Sequence, residues 1–595
     1  MCRSHAGFSS IKRTIFFFAN SFYFKMAKSI DFQLPDAIKD FIFDLNDATR
    51  RSMRVEEVEP LYDVKFKEIT DKYFASSAWP EPAAIAGECN EDAVFLLFYR
   101  ELTLRHAITK LKPQLIDHIE AWNNYCKLFH YLQHNVNAEM VISVQWACDM
   151  ISEFVYQFQG FCQYRTSINN KNEDEVQILE NNPDLWSVGI VSRILSDLVR
   201  VGKSVPQQKN GNTIHQLLGY FSLIELARLE CLLCDYNASL IASQPLMLHL
   251  QAGSAQDGSA GAVCGCEYNL YASIPLCHIN VYYHAGVCLL MMHRYSDALR
   301  TFNEIILHIS QRLMKQGNIV GGRPGTQQQL QRMLDRMLAL AGMCMALYPC
   351  VYSSSSSTRQ RVEVLNDQVR EMIEANQFGD KYRQMLSGGS DSYSTFEHTF
   401  ESNTPKFISP AIPNYHRKRA EDEDEDEDEA SAGGKATSQA SNYLCQDVNR
   451  TQMVVFTNQV KQQLSVLKLR SYLRLYTTIG TEKLTRYDNC SNVDEMMAKL
   501  MSYKYKGMEV QASTTPSGGS ETTPNSSMLD VAFHVDGDNL VIQNSSAQPQ
   551  TTTNVPAARK VLPNMSYYEN IFTTSLSAQQ NLVGEIESSF EKYGL

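Results

Sequence analysis

Two stretches near the carboxy terminus decide the fold: Leu469-Arg470-Ser471-Tyr472-Leu473-Arg474-Leu475-Tyr476 and, further on, Val531-Ala532-Phe533-His534-Val535-Asp536-Gly537-Asp538-Asn539-Leu540-Val541-Ile542. In the first, Leu469, Tyr472, Leu473 and Tyr476 recur at the spacing of one helical face. In the second, Val531, Phe533 and Val535 alternate, Asp536-Gly537 supplies a tight turn, and Leu540 to Ile542 returns, which predicts a β-hairpin. Between them, Thr481 to Tyr487 suits a short helix. Val493, Met496, Met497 and Leu500 line another, with Ser491 placed as its cap. Three helices followed by a two-stranded wing predict a winged helix, interrupted before the wing by the Ser/Thr/Pro/Gly segment Gln511 to Ser527.

Upstream the pattern is helical. Ile38, Phe41, Ile42 and Leu45 follow Pro35 at i, i+3, i+4 and i+7, where a proline can start a helix without losing a needed donor. Ala93 to Thr109, Glu120 to Leu132, Val144 to Tyr164 and Leu185 to Val201 read likewise, separated by breaks such as Trp79-Pro80-Glu81-Pro82 and Asn181-Asn182-Pro183. Around Tyr282 to Ile305, the spacing of Gly286, Tyr295, Ala298 and Phe302 fits a tetratricopeptide-like hairpin, in which small residues let two helices approach. A weaker copy runs from Leu217 to Ala242, and Gln251 to Ala262 reads as a loop between the copies. Tyr352 to Ser357 and Ser387 to Ser392 read as flexible breaks.

The expected class is therefore mainly α: a helical-repeat solenoid, a winged helix with a small hairpin wing, and a carboxy-terminal helix carrying Val583, Ile586 and Phe590 on one face. The expected segments are an amino-terminal extension (1–25), a helical domain (26–205), a repeat region (206–415), an acidic low-complexity insert (416–445), the winged helix (446–545), and a linker with the terminal helix (546–595). Arg3, Lys12 and Arg13 before Ile15-Phe16-Phe17-Phe18-Ala19 imitate a targeting signal. The apolar run is brief, however, and Met26 suits a natural start.

A chain of 595 residues with 44% hydrophobic and 20% charged residues can build more than one core. Its net charge of -12 disfavours a wholly phosphate-binding surface, although Glu421 to Glu429 alone supply nine uninterrupted negative charges. The segment Gln459 to Gly507 runs the other way, with nine Lys or Arg against four acids. Lys499, Lys504 and Lys506 are the candidate RNA contacts there, against the alternative of a solvated helix surface. His416-Arg417-Lys418-Arg419 ahead of the acidic run reads as a solvated linker.

Catalytic and metal chemistry find no seat. Cys231-x-x-Cys234 and Cys264-x-Cys266 invite zinc, but the first pair lies in an apolar helix and the second lacks the usual separation, so core thiols are expected. Gly321-Gly322-Arg323-Pro324-Gly325-Thr326 lacks the lysine of a phosphate loop. Neither a Gly-x-Ser-x-Gly elbow nor a His-Glu-x-x-His helix is present, and His106, His130 and His284 suit packing. No cofactor is expected, and fifteen scattered cysteines fit a reducing cytoplasm.

A helical solenoid running into a winged helix resembles the PCI family of proteasome-lid, signalosome and initiation-factor subunits. Trp79-Pro80-Glu81, Glu153-Phe154-Val155-Tyr156-Gln157-Phe158-Gln159, Gln163-Tyr164-Arg165, Leu217-Leu218-Gly219-Tyr220-Phe221-Ser222-Leu223, Pro405-Lys406-Phe407-Ile408-Ser409-Pro410 and Leu473-Arg474-Leu475-Tyr476-Thr477-Thr478 are similar, in order, to segments of the L-subunit family of translation initiation factor 3. The resemblance spans roughly Ser29 to Ile542 and departs in the first 25 residues, in Gln251 to Ala262 and after Tyr415. It implies a non-catalytic scaffold that neighbours the E and K subunits, binds the small ribosomal subunit and supports recruitment of messenger RNA. It also implies a subunit interface through Val531, Phe533, Val535, Leu540 and Ile542 of the wing and through Val583, Ile586 and Phe590. The alternatives are a proteasome-lid or signalosome scaffold, or a free-standing RNA-binding regulator.

Overall fold

The computed structural model describes residues 34–52, 54–111, 113–135, 140–167, 171–205, 213–254, 263–264, 266, 274–316, 326–348, 365–387, 390–413, 415, 448–488, 490–506 and 531–544. The expected extension, the acidic insert, most of the glycine-rich 321–326 segment, the 352–357 break, and the terminal helix with Val583, Ile586 and Phe590 lie outside these residues. The described residues are mainly helical and fall in two compact units. One draws on Met1–Leu229, Ile241–Cys277 and Ile408–Gln446, the other on Glu230–Leu240, His278–Phe407 and Asp447–Leu595.

In the first unit the amphipathic face after Pro35 becomes helix α1, Asp36–Asp47, which buries Ile38, Phe41, Ile42 and Leu45. The helices read at Ala93, Glu120, Val144 and Leu185 span Ala93–Lys110, Leu115–His134, Val144–Thr166 and Val188–Ser204. The second begins five residues before the sequence pattern because Gln114 and Asp117 form a reciprocal capping box there. The proline-rich break before Ala93 is not mere linker, since Trp79 is buried and stacks on Phe74 and Phe66 with ring centroids 4.4 and 5.2 Å away. Helices Val188–Ser204 and Ile214–Leu232 touch through Gly202 and Gly219. A Cβ on Gly202 would stand 2.8 Å from the His215 carbonyl oxygen, so only glycine permits this approach.

The centre of this unit holds a buried ion pair. Glu101, fully buried, accepts from the Trp146 indole at 3.3 Å and the Tyr125 hydroxyl at 3.4 Å, and the Arg105 Nε lies 3.4 Å from it. The guanidinium of Arg105 also sits over the Tyr62 ring, which stacks on Trp146 with centroids 5.2 Å apart. Burial raises the Glu101 pKa above the ordinary carboxylate range while Arg105 pulls it back.

In the second unit the hairpin expected around Gly286 is present, with helices Pro275–Met291 and Tyr295–Gln316 joined by a turn in which His293 takes a positive φ of 62°. Tyr295, Ala298 and Phe302 are buried, and a Cβ on Gly286 would come within 2.4 Å of the Phe302 ring. The small residue is thus fixed by the aromatic opposite it. Two readings need correction. Helix Tyr236–Ser254 continues four residues into the loop expected from Gln251. Ser390 to Ser392 open helix Ser390–Asn403, with the Ser392 hydroxyl donating to the Met385 carbonyl oxygen at 2.8 Å.

Candidate functional site

The carboxy-terminal module lies wholly in the second unit and carries every candidate site residue that falls among the described ones. Its order is helix α2 (Val448–Leu475), strand β1 (Thr478–Gly480), helix α3 (Thr481–Asp488), helix α4 (Val493–Lys506) and strands β2 (Val531–Asp536) and β3 (Asn539–Asn544). The strands form one antiparallel sheet in the order β1-β3-β2. The expected wing therefore has a third strand, three residues long, pairing Ile479 with Leu540.

The hairpin turn lies one residue later than the sequence reading placed it. Asp536 pairs with Asn539, so Gly537 and Asp538 form the turn, and Gly537 takes the positive φ of 59° that a two-residue hairpin requires. Ser491 is not the cap of α4. The helix begins at Val493, so Asn492 holds the cap position, and the Ser491 backbone N–H donates to the Glu495 carboxylate at 2.9 Å.

One apolar cluster joins α2, β1, α3, α4 and β3 through Leu469, Leu473, Ile479, Leu484, Met496, Leu500, Tyr503, Leu540 and Ile542, with Phe533 of β2 packed against it. Of the residues expected at a subunit interface, Leu540 and Ile542 are buried in the module's own core. Phe533 is half-buried and lies 6.0 Å from Tyr503 between ring centroids, Val535 is exposed, and the Val531 side chain lies outside the described residues.

The candidate RNA-contacting lysines separate in the same way. Lys499 is taken up internally, 3.0 Å from the buried carboxylate of Asp488 and 3.7 Å from Glu495. Lys468 reaches the other oxygen of Asp488 at 3.1 Å, so one carboxylate ties the end of α3 to α2 and α4. Burial works against the charge of Asp488, but hydrogen bonds from Lys499 and Lys468 hold its pKa below the ordinary carboxylate range. Lys504 is exposed, and the Lys506 side chain lies outside the described residues.

A second cluster was missed as a site. Tyr472 and Tyr476, read as core positions, are only half-buried, and Tyr487 joins them from α3. The Tyr487 ring centroid lies 6.1 Å from that of Tyr472 and 6.3 Å from that of Tyr476, while the Tyr472 hydroxyl donates to the Tyr487 carbonyl oxygen at 3.2 Å. Lys483 Nζ stands 5.5 and 5.7 Å from the Tyr476 and Tyr487 centroids, and Lys468 Nζ 5.9 Å from that of Tyr472. The proximity of the two phenols raises the pKa of Tyr476 and lowers that of Tyr487, which Lys483 lowers further. The available sequence signal was two tyrosines at i, i+4 followed by Lys483 and Tyr487.

Among the described residues no group of three or more His, Cys, Asp or Glu is placed to hold a metal ion, and no helix is long and apolar enough to cross a membrane. Cys231, Cys264 and Cys266 are buried and Cys234 half-buried. Burial pushes Cys264 up to about 11 and Cys266 to about 12, which keeps both thiols protonated at neutral pH.

A family model described as RNA polymerase I-associated factor PAF67 matches residues 117–555. The chain is 30% identical over 529 residues to eukaryotic translation initiation factor 3 subunit L of Nematostella vectensis, covering 86% of this chain and 88% of that protein. The protein of the same name from Danio rerio is 29% identical over 510 residues, with 80% and 78% covered. That from Mycosarcoma maydis is 30% identical over 470 residues, with 76% of this chain and 63% of the relative covered. With the family model and the relatives spanning most of its length, the chain belongs to the family of eukaryotic translation initiation factor 3 subunit L.

Proposed function

We propose that the chain is a non-catalytic structural subunit of translation initiation factor 3, working in the cytoplasm beside the small ribosomal subunit and supporting recruitment of messenger RNA. The observation that carries this reading is the module at residues 448–544. Its helix-strand-helix-helix-strand-strand order, with the late hairpin beside the short first strand, supports the winged-helix reading, and the helix pair around Gly286 supports that of a tetratricopeptide-like repeat region. Kinship with proteins named as subunit L supports the assignment to this complex. Partner subunits, with E and K as the expected neighbours, meet the wing at Phe533 and Val535 and the carboxy-terminal segment at Val583, Ile586 and Phe590. RNA lies along the basic surface that includes Lys504 and Lys506.

Affinity purification of the tagged full chain, with and without residues 459–595, tests the reading. Recovery of the other initiation-factor subunits and of small ribosomal subunits, lost on truncation, is expected. Recovery of proteasome-lid or signalosome subunits, or of RNA polymerase I as the other description borne by the family suggests, would displace it.

A further inference from the structure

The basic surplus of the carboxy-terminal module does not sit where a groove-reading helix would use it. Helix α4 opens on Val493, Asp494 and Glu495, and its Lys499 is spent on Asp488. The surplus gathers instead at the end of α2 and along α3. Residues 468–488 hold five Lys or Arg against two acids in a chain whose net charge is -12. Of those acids, Asp488 is buried and neutralised by two lysines, and the exposed Glu482 lies 4.0 Å from Arg486.

The same stretch leaves aromatic surface in water. Tyr487 is 40% exposed, and Leu475, which precedes Tyr476 in the chain, is 72% exposed. Side chains needed only for packing would be drawn further into the core, because each exposed ring forgoes a large apolar contribution. Tyr472, Tyr476 and Tyr487 are held by ring contacts and by the hydrogen bond from the Tyr472 hydroxyl to the Tyr487 carbonyl oxygen, with a lysine at either end of the group. A surface that alternates fixed rings with cations matches a ligand that alternates flat bases with phosphates.

We propose that Tyr472, Tyr476 and Tyr487, flanked by Lys468 and Lys483, form a stacking platform for single-stranded RNA. Bases stack on the exposed tyrosine faces, and the lysines meet the phosphates between them. Because every base has a stacking face, the platform is tolerant of sequence. An acidic peptide would satisfy the lysines but leave the rings without partners, and duplex RNA would present no free bases. The proposal deepens the RNA contact within the function proposed above and moves it from α4 to α2 and α3. It is tested on the purified chain, so its failure would leave membership of the complex untouched.

The experiment measures fluorescence anisotropy of a labelled oligouridine of about 16 nucleotides with the full chain at two salt concentrations. Tyr487→Ala is expected to weaken binding by about tenfold, the loss of one stacked base, while Tyr487→Trp retains or tightens it. Lys483→Ala is expected to reduce the slope of log affinity against log salt by about 0.7, the share of one phosphate on a single strand. Thermal melting of each variant identifies any loss of fold, and retention of binding by Tyr487→Trp keeps the test valid if Tyr487→Ala unfolds. Binding by Tyr487→Ala within about twofold of the parent, or a larger loss from Lys504→Ala than from Tyr487→Ala, would overturn the platform. So would the absence of oligouridine binding by the parent chain. If Tyr487→Ala then released initiation-factor subunits in the affinity purification, the surface would be a protein-docking site.

Discussion

Two buried carboxylates, one in each unit, meet opposite fates. Glu101 lies at the centre of the first unit with one guanidinium and two neutral donors, and burial lifts its pKa. Asp488 is almost as inaccessible in the carboxy-terminal module, yet two ammonium groups at 3.0 and 3.1 Å bring its pKa down. The difference lies in the number of cations and their access to water. Arg105 is itself largely buried, so both members of its pair lose hydration, whereas Lys468 is about half exposed and keeps much of its own. A buried charge pair is thus no single quantity. The first is a constraint on which arrangement the core can adopt, and the second is a fastener near the surface.

The strongest test of that contrast is Glu101→Gln. It strands a guanidinium that cannot discharge at any accessible pH, in a site with little water, and should destabilise the first unit by about 3 kcal/mol or more. Arg105→Met should cost less, because the carboxyl left behind can take up a proton. Replacing both together with Glu101→Leu and Arg105→Met should recover most of the loss. Denaturant unfolding, followed by hydrogen exchange in helices Ala93–Lys110 and Val144–Thr166, reads all three. A double variant as unstable as Glu101→Gln would mean that the apolar setting cannot repack and that the pair does more than constrain the core.

Neither cluster was legible in the sequence, for related reasons. Glu101 and Arg105 stand four apart on a helix, a spacing that is the same for a surface pair and a buried one. Only the ring of buried Phe95, Phe98, Tyr99, Leu102 and Leu104 around the same helix shows that it has no water-facing side for them. Asp488, Lys468 and Lys499 belong to three helices, and their meeting depends on tertiary placement that no local period encodes. Features with a local period fared differently. The alternation of the hairpin and the helical face at Ile38 carried through, as did the buried Leu469, Leu473, Met496 and Leu500 of two later faces and the helix pair around Gly286. Strand β1 escaped notice because three residues, Thr478-Ile479-Gly480, are too few to show alternation; the edge of β3 recruits them. The tyrosine platform was half visible. The helical period placed Tyr472 and Tyr476 on a core-facing stripe but could not show that the stripe ends there in water.

The intermediate effect is expected at Asp488. Asp488→Asn keeps the shape but leaves Lys468 without its counter-charge and Lys499 with Glu495 alone, at about 1–2 kcal/mol, a figure reduced by the partial exposure of both lysines. The two carboxylates should also respond to pH with opposite sign. The native pKa of Asp488 is depressed, so its contribution is present above the unfolded aspartate range and is lost as pH falls through the native value. That of Glu101 is raised, so its contribution is complete below the unfolded glutamate range and is lost as pH rises through the native value. Subtracting the pH profile of each variant from that of the parent chain isolates each group. Two difference profiles of the same slope would break the comparison.

The smallest effect separates the two lysines that share Asp488. Lys468 is 49% exposed and Lys499 32%, and Lys499 also reaches Glu495. Lys468→Gln should therefore cost no more than about 0.5 kcal/mol, in the range of exposed ion pairs, and most of that should vanish in high salt. Lys499→Gln should cost more and keep more of its effect in salt, because its pair is better shielded. If Asp488 were held mainly by Lys468, the order would reverse, and the module would be fastened from α2 rather than from α4. Chemical denaturation of the two single variants at low and high salt distinguishes these arrangements. It also shows how freely Lys468 can serve a ligand at the tyrosine surface: the less Asp488 depends on it, the more of its charge is available to a phosphate.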